Sequence, residues 1–333
     1  FFQAEDGIRD RDVTGVQTCA LPIFMYSRRK FIRQTGILGV AGAFVAKSSW
    51  ASAFAKTNLP APGLQLFTLM SEIDNDTVGT LQKVASYGYK NIETAFSKQS
   101  GIYGRKPKEF KSLLSDMGMQ WRSHHVIGGA IKLPPGYKMP TGADGKPMMM
   151  PAMKNLTDNS QELIDTVAEG GIPYIVCANI PVNTGDSIKQ AAEVLQKAGE
   201  QAKKAGLQLV YHNHANEFTS IDGIVAYDYF LSQINADILK MELDLGWAFK
   251  AGKNPVDIFN QHPGRFPLWH VKDMTADGAI VAFGEGTYDF TSTFKNASKS
   301  GLQYFFIEQD FPKKPFESIQ SSIQKFEIFK NTL

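Results

Sequence analysis

Four apolar runs in the second half of the chain each end on an ionisable side chain: LQLVYHNH (207–214), MELDLGW (241–247), RFPLWHVKD (265–273) and YFFIEQD (304–310). A short apolar run that stops at a polar residue reads as a strand buried along most of its length and open at one end. The four recur at the spacing of β/α units. In a closed parallel barrel the strand C-termini converge on one rim, which brings together residues that are distant in sequence.

The alternation extends over most of the chain. Strands are expected at 63–69, 89–93, 120–125, 174–178, 207–212, 239–244, 266–271 and 304–308. Helices are expected around 78–87, 107–117, 159–169, 188–205, 224–234, 255–261, 290–300 and 316–329. Several helix-to-strand turns carry a glycine that can end a helix, among them Gly88, Gly118, Gly206 and Gly301. Eight strands alternating with helices imply an α/β fold, a single-domain (β/α)8 barrel over 58–333. The connection at 128–155, rich in Pro, Gly and Met, is long for such a fold and is expected to cover a substrate.

The N-terminal stretch reads differently. Met25 opens a segment with Arg28, Arg29, Lys30 and Arg33, then an uncharged run, then the small-residue sites Ala51-Ser52-Ala53 and Ala53-Phe54-Ala55, the layout of an export signal over 25–55. Ser27-Arg28-Arg29-Lys30-Phe31-Ile32 resembles a twin-arginine motif, so the export machinery for folded proteins is an expected partner and the periplasm, or export beyond it, the expected location. Left uncleaved, the segment would act as a membrane anchor. Residues 1–24 show no such layout and are expected to be a non-native leader. Beyond residue 55 the chain carries 28 basic and 29 acidic side chains, a balance that gives no global electrostatic reason to bind nucleic acid. Only Cys177 remains there, so no internal disulfide is expected.

On a strand, residues two apart share a face, which pairs His212 with His214, Glu242 with Asp244 and His270 with Lys272, Glu242 lying one layer deeper than Asp244. His212, Asp244, His270 and Glu308 together offer two neutral imidazoles and two carboxylates. That set compensates a divalent cation and leaves room for substrate oxygens; Mn²⁺, Zn²⁺, Co²⁺ and Mg²⁺ all suit it.

With these landmarks the chain resembles the xylose isomerase-like TIM barrels, the group usually called sugar phosphate isomerases/epimerases, from Leu64 to Phe329. The resemblance is carried by Gly63-Leu64-Gln65-Leu66-Phe67-Thr68-Leu69, Gly88-Tyr89-Lys90-Asn91-Ile92-Glu93, Ser123-His124-His125, Tyr211-His212-Asn213-His214, Leu243-Asp244-Leu245-Gly246-Trp247, His270-Val271-Lys272-Asp273, Gly284-Glu285-Gly286 and Ile307-Glu308. It implies one divalent metal at the ends of strands five to eight and proton transfer next to a carbonyl through an enediolate. Asp244, His270 and Glu308 match the usual ligand positions. Many members carry Glu at the first position, where this chain has His212, with Glu217 nearby as a substitute.

Replacing that glutamate puts a symmetric two-base epimerisation in doubt and favours single-base chemistry. Glu308, Glu93 and His214 are the expected acids and bases, with Lys272 and His124 supplying charge or hydrogen bonds to hydroxyls, and Trp247 and Phe67 placed to stack on a sugar ring. Gly284-Glu285-Gly286 is too short and too acidic to cradle phosphate, and together with export this favours an unphosphorylated sugar or keto-sugar. The expectation is therefore a metal-dependent isomerase or epimerase. Its alternatives are a keto-glycoside lyase or hydratase on the same site, a non-catalytic carbohydrate-binding barrel, and, against the charge balance, an endonuclease IV-like repair enzyme.

Overall fold

The structure, a computed structural model, describes residues 59–130 and 153–333. The leader at 1–24, the export signal at 25–55 and most of the long connection at 128–155 lie outside the described residues. The strands are β1 (Gly63–Gln65), β2 (Asn91–Thr94), β3 (Gln120–Ile127), β4 (Tyr174–Asn179), β5 (Gln208–His212), β6 (Leu239–Asp244), β7 (Leu268–Val271) and β8 (Tyr304–Ile307). They close into one parallel barrel in the order β1-β8-β7-β6-β5-β4-β3-β2. The chain returns between them through α1 (Thr77–Tyr87), α2 (Pro107–Asp116), α3 (Leu156–Glu169), α4 (Gly185–Lys204), α5 (Ala226–Gln233), α6 (Pro255–Gln261) and α7 (Thr291–Lys295), and α8 (Pro315–Lys330) follows the last strand. The expected (β/α)8 barrel is what forms. No helix among the described residues is long and apolar enough to cross a membrane.

Local chemistry sets the element ends. The first strand is shorter than the apolar run suggested: the Phe67 backbone N–H donates to Gln65 Oε1 at 2.9 Å, turning residues Leu66–Leu69 into a 3₁₀ turn. Asp76 accepts from the Gly79 N–H to start α1, and Thr184 and Ser187 cap α4 reciprocally, satisfying amides that an unprotected helix start would leave unpaired.

Alternation along the strands divides the core in two. Leu209, Tyr211, Met241, Leu243, Trp269 and Phe305 join the layer between sheet and helices, where Trp269 stacks on Phe259 of α6 with centroids 5.1 Å apart and planes 5° from parallel. Each such side chain contributes about 1.5–3 kcal/mol through burial. The opposite face supplies a separate plug inside the barrel, Val176, Val210, Leu268 and Phe306, with Tyr174 and Tyr304 packed against it. The Arg122 guanidinium lies 4.4 Å from the centre of the Tyr304 ring at the same end. With the barrel filled at that end, its polar interior is confined to the C-terminal half of the strands.

Candidate metal centre

Two polar layers rest on the apolar plug. Nearer the rim, His212, Asp244, His270 and Glu308 come from the ends of β5, β6, β7 and the residue after β8, each offering a ligand atom within 4.8 Å of the others. Asp244 shows how the chain aims such a group. The Trp247 backbone N–H donates to Asp244 Oδ1 at 2.9 Å, because Asp244 caps the short helix Leu245–Lys250, so Oδ2 is left for the barrel interior. That oxygen lies 3.4 Å from His212 Nε2 and 3.8 Å from His270 Nδ1, while His270 Nδ1 lies 2.8 Å from Glu308 Oε2.

Among the described residues both ring nitrogens of His212 are buried without a hydrogen-bond partner, while the buried Asp244 Oδ2, His270 Nδ1 and Glu308 Oε2 face one another and Lys272. An orphaned buried polar group is costly, and His212 together with one ligand atom from each of Asp244, His270 and Glu308 fits a bound cation. The charge count agrees. Lys272 Nζ lies 3.1 Å from Asp244 Oδ2, 2.9 Å from Glu308 Oε2 and 3.1 Å from Asp310 Oδ2. Against burial, Glu242, Glu308 and Glu93 hold His270 well above the usual histidine range; once an ion displaces its second proton, three carboxylates against one ammonium leave two negative charges, the complement of a divalent ion.

The electrostatics follow from these contacts. Burial would lower the Lys272 pKa, but Asp244, Glu308 and Asp310 outweigh it and raise it, so the ammonium keeps its charge. Burial likewise pushes Glu308 up, yet Lys272 and His270 hold it well below the usual carboxylate range. His212 is held well below the usual histidine range, first by burial and then by the charges of the neighbouring histidines, which keeps its nitrogens available as ligands. Asp310 is pushed up to about 6 by burial and by the charge on Glu308.

Beneath the rim lies a second group, Glu93, His125, Glu242 and His270, again with ligand atoms within 4.8 Å of one another. His125 Nε2 lies 2.8 Å from Glu242 Oε2 and 3.1 Å from Glu93 Oε1, and its ring stacks on His270 at 5.2 Å and 8°. His270 belongs to both layers, with one ring nitrogen facing each.

The remaining expected residues are spread around this centre. His214 stands half-buried at the mouth, 5.0 Å from the His212 ring and 5.8 Å from the Trp247 ring, and Lys272 Nζ lies 5.1 Å from the centre of Trp247. Phe67 meets the exposed Phe311 edge-on at 5.2 Å. Glu217 is turned elsewhere: it accepts from the Tyr211 hydroxyl at 2.9 Å and from the His214 backbone N–H at 3.0 Å, so it bolts the β5 loop and belongs to neither group. His124 points to the helix side, its Nδ1 2.7 Å from Thr94 Oγ1 and its ring edge-on to Trp121.

The inward position on β3 belongs to His125, and the cause is a bulge. Ile92 pairs with Trp121 but Glu93 pairs with Ser123, so Arg122 is an extra residue and the alternation beyond it is inverted. Sequence reasoning passed over His125, Gln65 and Asp310 as functional residues. Asp310 alone carried a local signal, lying two residues beyond Glu308. Gly284-Glu285-Gly286 wraps Asp273, whose Oδ2 accepts from the Gly284 and Gly286 N–H groups at 2.9 and 3.0 Å, and a Cβ on Gly286 would lie 1.9 Å from Asp273 Oδ1.

The molecule is similar to a sugar phosphate isomerase/epimerase from Parabacteroides distasonis, with 26% identity, a TM-score of 0.64 and coverage of 85% of this chain and 97% of that one. The sequence is similar to inosose dehydratase of Lacticaseibacillus casei, 26% identical over 159 residues, which is 41% of this chain and 53% of the relative. It is also similar to inosose dehydratase of Clostridium beijerinckii, 26% identical over 143 residues, 37% of this chain and 47% of the relative. The matches thus span about half the length of these relatives. Residues 81–327 match the family described as xylose isomerase-like TIM barrel, and the chain belongs to that family.

Proposed function

We propose that this protein is a metal-dependent enzyme that removes the proton next to the carbonyl of an unphosphorylated keto-sugar or cyclic keto-polyol and expels the neighbouring hydroxyl as water. The reading is carried by the convergence of buried ligand atoms from His212, Asp244, His270 and Glu308 at the barrel mouth. Those four residues would hold one divalent ion, drawn from Mn²⁺, Zn²⁺, Co²⁺ and Mg²⁺. When bound, it supplies Lewis-acid polarisation of the substrate oxygens, which acidifies the adjacent C–H bond.

The chain's own residues divide the proton work. Glu308 is the base that takes the carbon-bound proton; Lys272 and His270 keep it ionised but weaken it as a base, so the abstraction depends on prior acidification of the C–H bond. Lys272, which Asp310 would still hold when Asp244 and Glu308 turn to the ion, places a positive charge beside the developing oxyanion. His214, half-exposed beside Trp247, is placed to protonate the departing hydroxyl, and Trp247 covers Lys272 against water. With His212 where a second carboxylate would serve a two-base epimerisation, a single base and an imidazole acid suit elimination. The inosose dehydratase relatives support that outcome.

Isomerisation is the second reading, favoured by the likeness to the Parabacteroides isomerase/epimerase. Both begin with the same proton abstraction. Purified protein loaded with Mn²⁺ or Zn²⁺ is incubated in heavy water with a panel of keto-sugars and keto-polyols and followed by mass spectrometry. Elimination gives a product lighter by one water, and isomerisation gives solvent deuterium without that loss. Metal-loaded protein that does neither with any of them refutes the proposal.

An unphosphorylated substrate accords with the engagement of Lys272 by carboxylates and of the Gly284 and Gly286 amides by Asp273. It also accords with export directed by residues 25–55, which we propose places the enzyme in the periplasm. Replacing Arg28 and Arg29 by Lys is expected to retain the protein in the cytoplasm on cell fractionation; unchanged export would refute twin-arginine targeting.

A further inference from the structure

Glu93 belongs to the inner polar layer of the barrel. It is fully buried beneath the His270 ring, and Oε1 accepts a hydrogen bond from Gln65 Nε2 at 2.7 Å. The same oxygen lies 2.5 Å from His270 Nε2, the ring nitrogen facing away from the rim. His270 Nδ1, on the other side, faces the rim group, 2.8 Å from Glu308 Oε2 and 3.8 Å from Asp244 Oδ2.

A neutral imidazole carries one proton, and the nitrogen that holds it cannot ligate. We infer that Glu93 is a positioning residue: it holds the proton on His270 Nε2 and so presents the Nδ1 lone pair to the rim. A carboxylate accepting from the far nitrogen of a ligating histidine fixes both tautomer and ring orientation. Two further contacts narrow the ring's freedom. Gln65 pins Glu93 from β1, and His125 lies parallel against the ring while its own Nε2 is engaged by Glu242 at 2.8 Å. This inference rests on reading the rim group as a metal centre.

Binding of Zn²⁺ and Mn²⁺ to the full chain is measured by chelator competition for the native protein, Glu93→Gln and Gln65→Met, with circular dichroism to establish folding. Glu93→Gln is expected to bind a single ion 10- to 100-fold more weakly, with kcat/KM restored by excess metal, and Gln65→Met is expected to shift affinity in the same direction by less. In the zinc-loaded native protein, long-range nitrogen–proton NMR of labelled histidine should show His270 protonated at Nε2. A native protein that takes up no metal overturns the metal-centre reading and this inference with it. Native binding with unaltered affinity in Glu93→Gln, or a His270 proton on Nδ1, overturns the inference alone. Two ions bound by the native chain and one by Glu93→Gln would also overturn it, assigning the inner layer to a second cation. Should Glu93→Gln fail to fold, Gln65→Met and the native NMR signal still decide.

Discussion

Replacing Lys272 by Met removes the ammonium that stands between Asp244, Glu308 and Asp310 and keeps most of the side-chain volume. All three contacts are 2.9–3.1 Å and the side chain is buried. At an effective dielectric constant near 20, each pair at this separation is worth about 5 kcal/mol of Coulomb attraction, offset by desolvation, and breaking a buried pair costs a net of about 3–5 kcal/mol. For a unit the size of Thr57–Leu333, unfolding entropy is about 0.6 kcal/mol per degree, so with chelator present Tm should fall by roughly 5–8 °C. The loss should be smaller near pH 5 than at pH 8, because Asp310, already pushed up to about 6, takes a proton more readily once the ammonium is gone. Metal should act in the opposite direction. Asp244 Oδ2 and Glu308 Oε2 are the oxygens Lys272 occupies, so a divalent ion should bind the variant at least about tenfold more tightly, a gain of about 1.4 kcal/mol. Calorimetry with chelator and then with Mn²⁺ reads both effects. An unchanged Tm in chelator, or weaker metal binding in the variant, would refute the view of Lys272 as an internal counter-ion competing with the metal.

His125 is raised to about 9, burial being outweighed by Glu93 and then Glu242. A raised folded-state pKa means its stabilisation, roughly 3 kcal/mol, is complete below pH 6.5 and lost as pH rises to about 9. His125→Gln should flatten the alkaline fall of Tm measured in chelator, and an unchanged slope would count against the assignment. At Gly246 a Cβ would lie 2.6 Å from the Lys272 carbonyl oxygen, so Gly246→Ala should cost about 1–3 kcal/mol and displace Lys272, read by urea unfolding and by altered metal affinity. Phe326 is fully buried among Phe283, Phe294, Phe305 and Phe329, and Phe326→Ala should cost about 3–5 kcal/mol in urea unfolding while leaving metal affinity unchanged.

The barrel and the meeting of four strand-end residues were legible in the chain because both depend on short-range regularity. Apolar runs with period two, separated by helical stretches and ended by His212, Asp244, His270 and Glu308, need no knowledge of neighbouring strands to be read as parallel strands opening on one rim. The pairing itself decided the inner layer. Counting alternate residues along β3 from the outward Trp121 would turn His124 inward; the extra residue Arg122, visible only in the register against β2, turns His125 inward instead. Glu217 was similarly ambiguous until the Tyr211 hydroxyl and the His214 amide claimed its carboxylate. Periodicity is a property of one strand, whereas the partner of a buried charge is chosen by whichever group the closed barrel brings within hydrogen-bonding distance, and no local pattern encodes that distance.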